Sequence, residues 1–537
     1  MNYLAALLLI IVTAGATTLH VPSEYSSIFD AIGAAVNGDT VLVAAGQHCG
    51  GFGFQGKNIV VRSSGSALNT FLESPFVDWH CVMFTEGEDS TAVLEGFSIT
   101  NGNFDGESSY TKGPPDHGGG IYITNSSPTI RNCRIVNCVA QTGGGIYTQH
   151  SAVNISGCTI SNNAASYYAG GLFLGSSDQI DPLRIVDCSI TDNSAQDGGG
   201  FYIWGGTVEV INNEISDNYC DHNGGGIGIS STNVMLFSNF ISGNDGGYGG
   251  GVFIGGGITA LIGNVIVQNT ASDGGGIYEA SSARIQMTNN TIAYNEVSPS
   301  GGWGGGMLSW KDSICIHNCI FFGNTGIFGS QLSIAGGWVQ TVAEIGYCNI
   351  QYGQNSIHSD SFSVLIWDSG NIDTDPLFET GPLCDYHLSL SSPCIDAGNP
   401  AFEYNDPEDP LNPGYALWPA MGYLRNDMGA FGGAGIDYWL TVEEEESSYV
   451  ERSLPLHTFP NPFSSSCTVC FQLDEASQVN LSVYDLSGRL IEVLIDEAIP
   501  AGASAVAFDA SGLCSGVYLV RLVAGDVSAL QRCVVVR

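Results

Sequence analysis

Positive charge is nearly missing from this chain. Only 14 Lys and Arg stand against 53 Asp and Glu in 537 residues, a formal net charge of -39. Such a surface repels phosphate backbones and anionic membranes, so nucleic acid is excluded as a partner. Long apolar runs are also scarce. The single one lies in "MNYLAALLLIIVTAGATT", where Leu4 to Val12 precedes Ala14-Gly15-Ala16. That arrangement predicts a signal peptide over residues 1–16, cleaved after Ala16. No other stretch approaches membrane-spanning length, so no transmembrane segment is expected in the mature protein. Helical periodicity is absent from most of the remaining chain.

Glycine is abundant, with 72 residues, yet aromatic and branched aliphatic side chains are plentiful too. This is not the composition of a disordered or collagenous chain, so the glycines belong to turns of a folded object. They recur in clusters: "GGGIY" at Gly118, Gly143 and Gly274, "GGLF" at Gly170, "GGGFY" at Gly198, "GGGIG" at Gly224, "GGGVF" at Gly249 and "GGGML" at Gly304. The first residue after each cluster is always apolar and is expected to face a core. Between clusters a second motif returns, as in "CTISNN" (Cys158), "CSITDN" (Cys188), "NEISDN" (Asn213) and "NTIAYN" (Asn290), always ending in Asn. Its copies lie 25 or 26 residues apart, with longer steps ending at Cys188 and Cys319.

Short strands and glycine turns at that period predict an all-β solenoid, a parallel β-helix whose coils stack at roughly 4.8 Å. Equivalent residues then lie above one another, so a turn without room for a Cβ demands Gly in every coil. Asn163, Asn193, Asn218, Asn244, Asn269, Asn295 and Asn324 should form a structural column, in αL turns and hydrogen-bonded coil to coil. Cys133, Cys158 and Cys188 share a place with Asn213, Asn239, Asn264 and Asn290, and are expected as reduced core residues. A Cys133 to Cys158 bridge would also be geometrically allowed. Ser26/Ser27, followed by Ile28, Ala31, Ile32 and Ala35, predicts an amphipathic helix covering the first coil, before a strand from Thr40 to Val43.

The motifs resemble those of right-handed parallel β-helix proteins of the pectin-lyase-like superfamily, and are similar to the repeats of chlamydial polymorphic outer-membrane proteins. The resulting domain order is a signal peptide (1–16), a cap and first coil (17–45), the β-helix (46–395), a closing segment with acidic linker (396–453) and a C-terminal domain (454–537). "DPLF", "YHLS", "SPCIDAG" and "DMGAFG", between Asp375 and Gly432, resemble the choice-of-anchor segment of bacterial surface β-helices. Cys384 and Cys394 flank a short strand there and are candidates for a bridge. Alternating runs after residue 454 predict a small Ig-like β-sandwich. Phe459-Pro460-Asn461-Pro462-Phe463, Val483-Tyr484-Asp485 with Gly488-Arg489, and Ser515-Gly516-Val517-Tyr518 resemble the type A sorting domain of the type IX secretion system. That resemblance implies a Gram-negative bacterium, that secretion machinery as partner, and release from or attachment to the outer cell surface.

The superfamily contains polysaccharide lyases and glycoside hydrolases, which sets the alternative function. A lyase needs a clustered base and cations. Here Lys57, Lys112 and Lys311 are isolated, and Arg131, Arg134, Arg184 and Arg284 sit singly. A hydrolase pairs carboxylates, and the family's Asn-Thr-Asp, Asp-Asp, His-Gly and Arg-Ile-Lys motifs have no counterpart. Asp192 and Asp217 are adjacent in the stack, as solvated groups or as a catalytic pair. No catalytic residue is assigned. The residue after each inward apolar points outward: Tyr122, Tyr147, Phe173, Tyr202, Phe253 and Tyr278 form a stripe, either stacked to stiffen the sheet or exposed to bind extracellular glycan. Acids beside the clusters, Asp197, Asp245 and Asp273, with Asp116 and Asp221 nearby, are candidates for Ca2+. The expectation is therefore a secreted, non-catalytic β-helix for adhesion or glycan binding, with no cofactor except Ca2+.

Overall fold

A computed structural model describes residues 16–433 and 456–535, apart from 75–78, 105–116, 176–181, 231, 281–282, 300–301, 311–312, 337–340, 380–385, 410–412, 418, 460–465, 474–476, 486–489, 511–512, 514–515 and 525–526. The leader up to residue 15, Lys112, Asp116, Lys311, Cys384, the acidic linker, Pro460 to Phe463 and Gly488-Arg489 thus lie outside the described residues. The chain divides into two units, one running to Thr441 and the other made mostly of Val442–Arg537.

The first unit is a β-solenoid. One coil shows its plan: Ile121–Thr124, Thr129–Arg131, Arg134–Val136 and Val139–Thr142 are consecutive strands lying in four different sheets. The sheets that run through the stack contain 12, 14, 12 and 8 strands, so three run nearly its whole length and the fourth closes only the central coils. Pairing is parallel and in register. Ile135, Ile160, Ile190, Ile215, Ile241, Ile266, Ile292 and Phe321 form one uninterrupted column, and all are fully buried. Period-two alternation supplies each strand with its inward residues, and stacking merges them into one core.

The glycine triplet meets three separate demands. The first glycine turns the chain at positive φ, +65° at Gly143. A Cβ on Gly144 would lie 2.3 Å from the Ala164 carbonyl oxygen, and one on Gly145 would lie 2.7 Å from that of Gly171. No side chain fits between coils that close. The one non-glycine in the first position, Ala169, keeps the same turn at φ 60°.

Asparagine forms two buried ladders. In the first, the backbone N–H and Nδ2 of each Asn both donate to Oδ1 of the Asn one coil on, as from Asn218 to Asn244 at 3.0 Å. The chain of bonds runs from Cys138 through Asn163 to Asn324. The second ladder mixes thiols and amides: Cys133, Cys158 and Cys188, then Asn213, Asn239, Asn264 and Asn290, then Cys319 and Cys348. These asparagines do not occupy αL. The left-handed turn falls on the residue before each rung, at Asn162, Asp192, Asp217, Gly243, Gln268, Tyr294 and Gly323 in the first ladder. An αL rung would point its amide away from the coil interior, whereas the ladder needs every amide inside. No disulfide joins the described cysteines, and burial pushes the Cys158 thiol well up. Mass spectrometry after alkylation of the denatured protein should find Cys133, Cys158 and Cys188 reduced; an oxidised pair would overturn their role as small core residues.

The one α-helix among the described residues is Ile28–Ala34. Ser27 Oγ accepts from Asp30 N, and Ile28, Ala31 and Ile32 are buried. Strand Thr18–Val21 precedes it and pairs with Thr40–Val43, the strand expected from the sequence. At the other end the last parallel strand is Ser363–Trp367. The closing segment then folds back along the outside of the solenoid. Gly429 N donates to Asn318 O, Ala430 N to Thr291 Oγ1, and Asn289 Nδ2 to Asp427 O. Phe378, Tyr386 and Phe431 pack on Phe240, Val265, Val267, Ala293 and Phe322, outward residues of the sheet whose inward column runs from Ile135 to Phe321.

The second unit consists of two antiparallel sheets. Leu456–Phe459, Ser466–Leu473 and Gly502–Asp509 form one; Ser477–Asp485, Leu490–Ile499, Gly516–Ala524 and Val527–Val535 form the other. Val469, Phe471 and Phe508 from the first meet Leu481, Val483, Val520 and Leu522 from the second in one core.

Candidate functional site

The outward column of the glycine sheet follows from register alone: Tyr122 pairs with Tyr147, Tyr147 with Phe173, Phe173 with Tyr202, Tyr202 with Gly228, and Phe253 with Tyr278. The rings stack nearly parallel, with centroids 5.5, 5.1 and 6.4 Å apart from Tyr122 to Tyr202, and 5.7 Å between Phe253 and Tyr278. Gly228 divides the stripe in two. The Tyr202 ring leans over it so closely that a Cβ there would lie 2.5 Å from the ring.

An open stripe is not what these residues build. Tyr147, Phe173 and Tyr202 are only 4, 8 and 7% exposed, while Tyr122, Phe253 and Tyr278 are half-buried. Two things cover them. Each ring lies flat on the next at the coil spacing, and at three of the turns an aromatic residue just before the turn position folds over a neighbouring ring. His117 stacks on Tyr147 at 4.6 Å, Tyr168 contacts Phe173 and Tyr202, and Tyr248 contacts Tyr278 at 5.2 Å. Burial accordingly raises the Tyr147 and Tyr278 hydroxyls to about 12. His80, stacked on Tyr122 at 4.7 Å, is depressed to about 4 by burial, although its hydrogen bond to the Gly118 carbonyl works the other way. It is neutral at physiological pH.

The exposed aromatic surface lies beside the stripe. Trp204, the last residue of its strand, is 49% exposed; Tyr248, 43% exposed, shares a separate corner column with partly buried Trp303 and exposed Phe328, the last two with centroids 4.9 Å apart. This second column carried a sequence signal that the stripe obscured: an aromatic directly precedes the turn residue in Tyr168-Ala169, Tyr248-Gly249, Trp303-Gly304 and Phe328-Gly329.

The acidic candidates do not converge. Asp197 and Asp273 belong to the same corner column but are three coils apart, roughly 14 Å at the interstrand spacing. Asp245 stands in another column, between Tyr219 and Thr270. Asp197 accepts from Asn223 Nδ2 at 2.6 Å and faces His222, while Asp273 accepts from Trp303 N at 2.8 Å. Partial burial raises the carboxyls of Asp245 and Asp273. Among the described residues no group of three or more His, Cys, Asp or Glu surrounds a common point. Asp192 and Asp217 do lie on neighbouring coils, as exposed αL turn residues. Arg131 and Arg184 are held by Glu95 and Glu209 at 3.0 and 2.8 Å.

Three family models match this chain. Residues 56–245 match the right handed beta helix region, 156–355 match the periplasmic copper-binding protein (NosD) family, and 457–536 match the secretion system C-terminal sorting domain. No curated protein and no solved structure matches the chain. The first unit is thus a right-handed β-helix with a NosD-like region. The protein carrying it ends in a type IX secretion sorting domain, which marks it for secretion to the outer surface of a Gram-negative bacterium. No helix among the described residues is long and apolar enough to cross a membrane.

Proposed function

We propose that this secreted β-helix is a non-catalytic surface element that adheres through extracellular glycan, with the glycine-sheet corner as its contact face. The aromatic ledge of exposed Trp204, Tyr248 and Phe328 and partly buried Trp303, set beside a stiff stacked base, carries this reading. Sugar rings stack on aromatic faces. The buried stripe of Tyr147, Phe173 and Tyr202 serves as foundation, with Tyr122, Phe253 and Tyr278 as its half-open edges. Asp197 and Asp273, in the column of Tyr248 and Trp303, and Asp245, in its own column, serve as hydroxyl acceptors, or singly as weak Ca2+ ligands completed by water. The helix Ile28–Ala34 closes the first coil, and residues 1–16 are removed on export.

A glycan array with the full chain tests the reading. Trp204→Ala combined with Tyr248→Ala should weaken the best glycan by roughly tenfold or more, since each ring contact is worth about 0.5–1.5 kcal/mol, while the circular dichroism stays that of wild type. Unchanged binding would remove the ledge as the site. Release of unsaturated or reducing sugar from any bound polysaccharide would establish instead the alternative, a lyase or hydrolase.

A further inference from the structure

Strand Ile314–His317 alternates Ile-Cys-Ile-His, so Ile314 and Ile316 enter the core while Cys315 and His317 emerge on one outer face. Their reactive atoms converge: Cys315 Sγ lies 3.6 Å from His317 Nδ1. The other ring nitrogen, Nε2, lies 4.0 Å from Glu344 Oε1. Glu344 comes from the next coil, directly paired with Cys315, and the residue paired with His317 is Gly346. That glycine clears the seat of the ring, since a Cβ there would lie 3.1 Å from His317 Cδ2. Tyr404 of the closing segment borders the group, edge-on to the imidazole at 6.2 Å. Cys315 and His317 are partly buried and reachable, and the Glu344 side chain is 47% exposed.

A tetrahedral cation bound at about 2.3 Å from sulfur and about 2.0 Å from nitrogen holds those two donors about 3.6 Å apart. We propose that Cys315 and His317 form a two-donor site for a thiophilic divalent cation of the Zn2+ type, with Glu344 fixing the imidazole. The Glu344 carboxylate, 4.0 Å from Nε2, favours the ring proton on that nitrogen by charge attraction and leaves the lone pair on Nδ1 to face the metal, the relation by which carboxylates support metal-binding histidines elsewhere. Thiolate and imidazole select Zn2+ over Mg2+ or Ca2+. Binding replaces the Sγ–H bond by a metal–sulfur bond and releases that proton to solvent. Two protein donors leave the remaining positions to water or to a donor from a surface partner. The strongly negative chain supplies long-range attraction for the cation. The site lies on a different sheet from the aromatic ledge and is independent of it.

The test is titration of the reduced full chain with Zn2+ against a chromophoric chelator, repeated with Co2+ to read the thiolate-to-metal absorption. One equivalent should bind, releasing about one proton. Cys315→Ser should abolish the cobalt–thiolate band, and His317→Gln should weaken Zn2+ by at least tenfold. Glu344→Gln, an isosteric change at a half-exposed position that leaves folding intact, should weaken it by roughly 10–100-fold, the usual loss for a supporting partner of a metal ligand. Cys49→Ser, which removes an exposed thiol elsewhere, should leave the titration unchanged. Equal Zn2+ affinity in wild type and Glu344→Gln, or a cobalt–thiolate band that survives Cys315→Ser, would overturn the proposal.

Discussion

Replacing Asn244 with leucine should destabilise the solenoid by roughly 3–6 kcal/mol, far more than its apolar character suggests. Asn244 is fully buried, and its Oδ1 accepts both the backbone N–H and the Nδ2 of Asn218. Its own Nδ2 donates to Asn269 Oδ1 at 2.9 Å and to the Ile215 carbonyl at 2.9 Å. Leucine has similar volume but offers none of these bonds. It leaves at least two donors and one acceptor unpaired in a dry interior, each costing about 1–3 kcal/mol. The control is in the same ladder, one residue before the preceding rung. Asp217 is an exposed αL residue, and Asp217→Asn, which tolerates that turn, should change stability by less than about 0.5 kcal/mol. Denaturant midpoints, with hydrogen exchange across residues 213–269, read both variants. Equal losses at the two positions would show that the ladder contributes no more than an ordinary turn.

The closing segment should dock more firmly in acid than in alkali. Asp406 and Asp427 are both buried against one another. Asp406 accepts from the backbone of Asp427 and Gly433, and Asp427 from Asp396 and Met421. Burial, then for Asp406 the charge of Asp427, raises Asp406 to about 9, and burial raises Asp427 to about 7, while Asp396 adds repulsion. Arg425, the nearby cation, is spent on the carbonyls of Ala397 and Gly398. Both folded values exceed the unfolded carboxyl value of about 3.9. The fold therefore prefers the protonated pair: its contribution is complete below about pH 4 and is lost as pH rises through about 7 and then about 9. Limited proteolysis of residues 396–433 should accelerate several-fold from pH 6 to pH 9, without loss of the solenoid's circular dichroism. Asp406→Asn keeps an acceptor and removes one charge, so it should flatten that dependence and protect the segment at pH 9. A wild-type segment equally resistant at both pH values would rule out the pair as the cause.

These two sites differ in how visible they are in the sequence. The rungs can be read because solenoid stacking repeats one local demand in every coil, and repetition is a sequence property. The aspartate pair cannot, since Asp406 and Asp427 meet through a single excursion of the chain that has no second copy for comparison. Cys315 and His317 are two residues apart in the sequence, but Glu344 arrives only with the next coil.

The glycine triplets, the inward isoleucines and the terminal Asn of each motif determined by themselves the coil, its parallel stacking and its single core, and the PNPF, VYD and SGVY motifs determined the sorting domain. Only the tertiary structure decided which outward rings remain open. Alternation tells that Tyr147 points away from the core, but its exposure depends on His117 and on the rings above and below. The αL turn likewise moved one residue off the rung because the amide must face inward to reach its neighbour. Direction along a strand is a local property of the backbone, whereas burial is set by whatever lies across the gap, and that is known only once the coils are stacked.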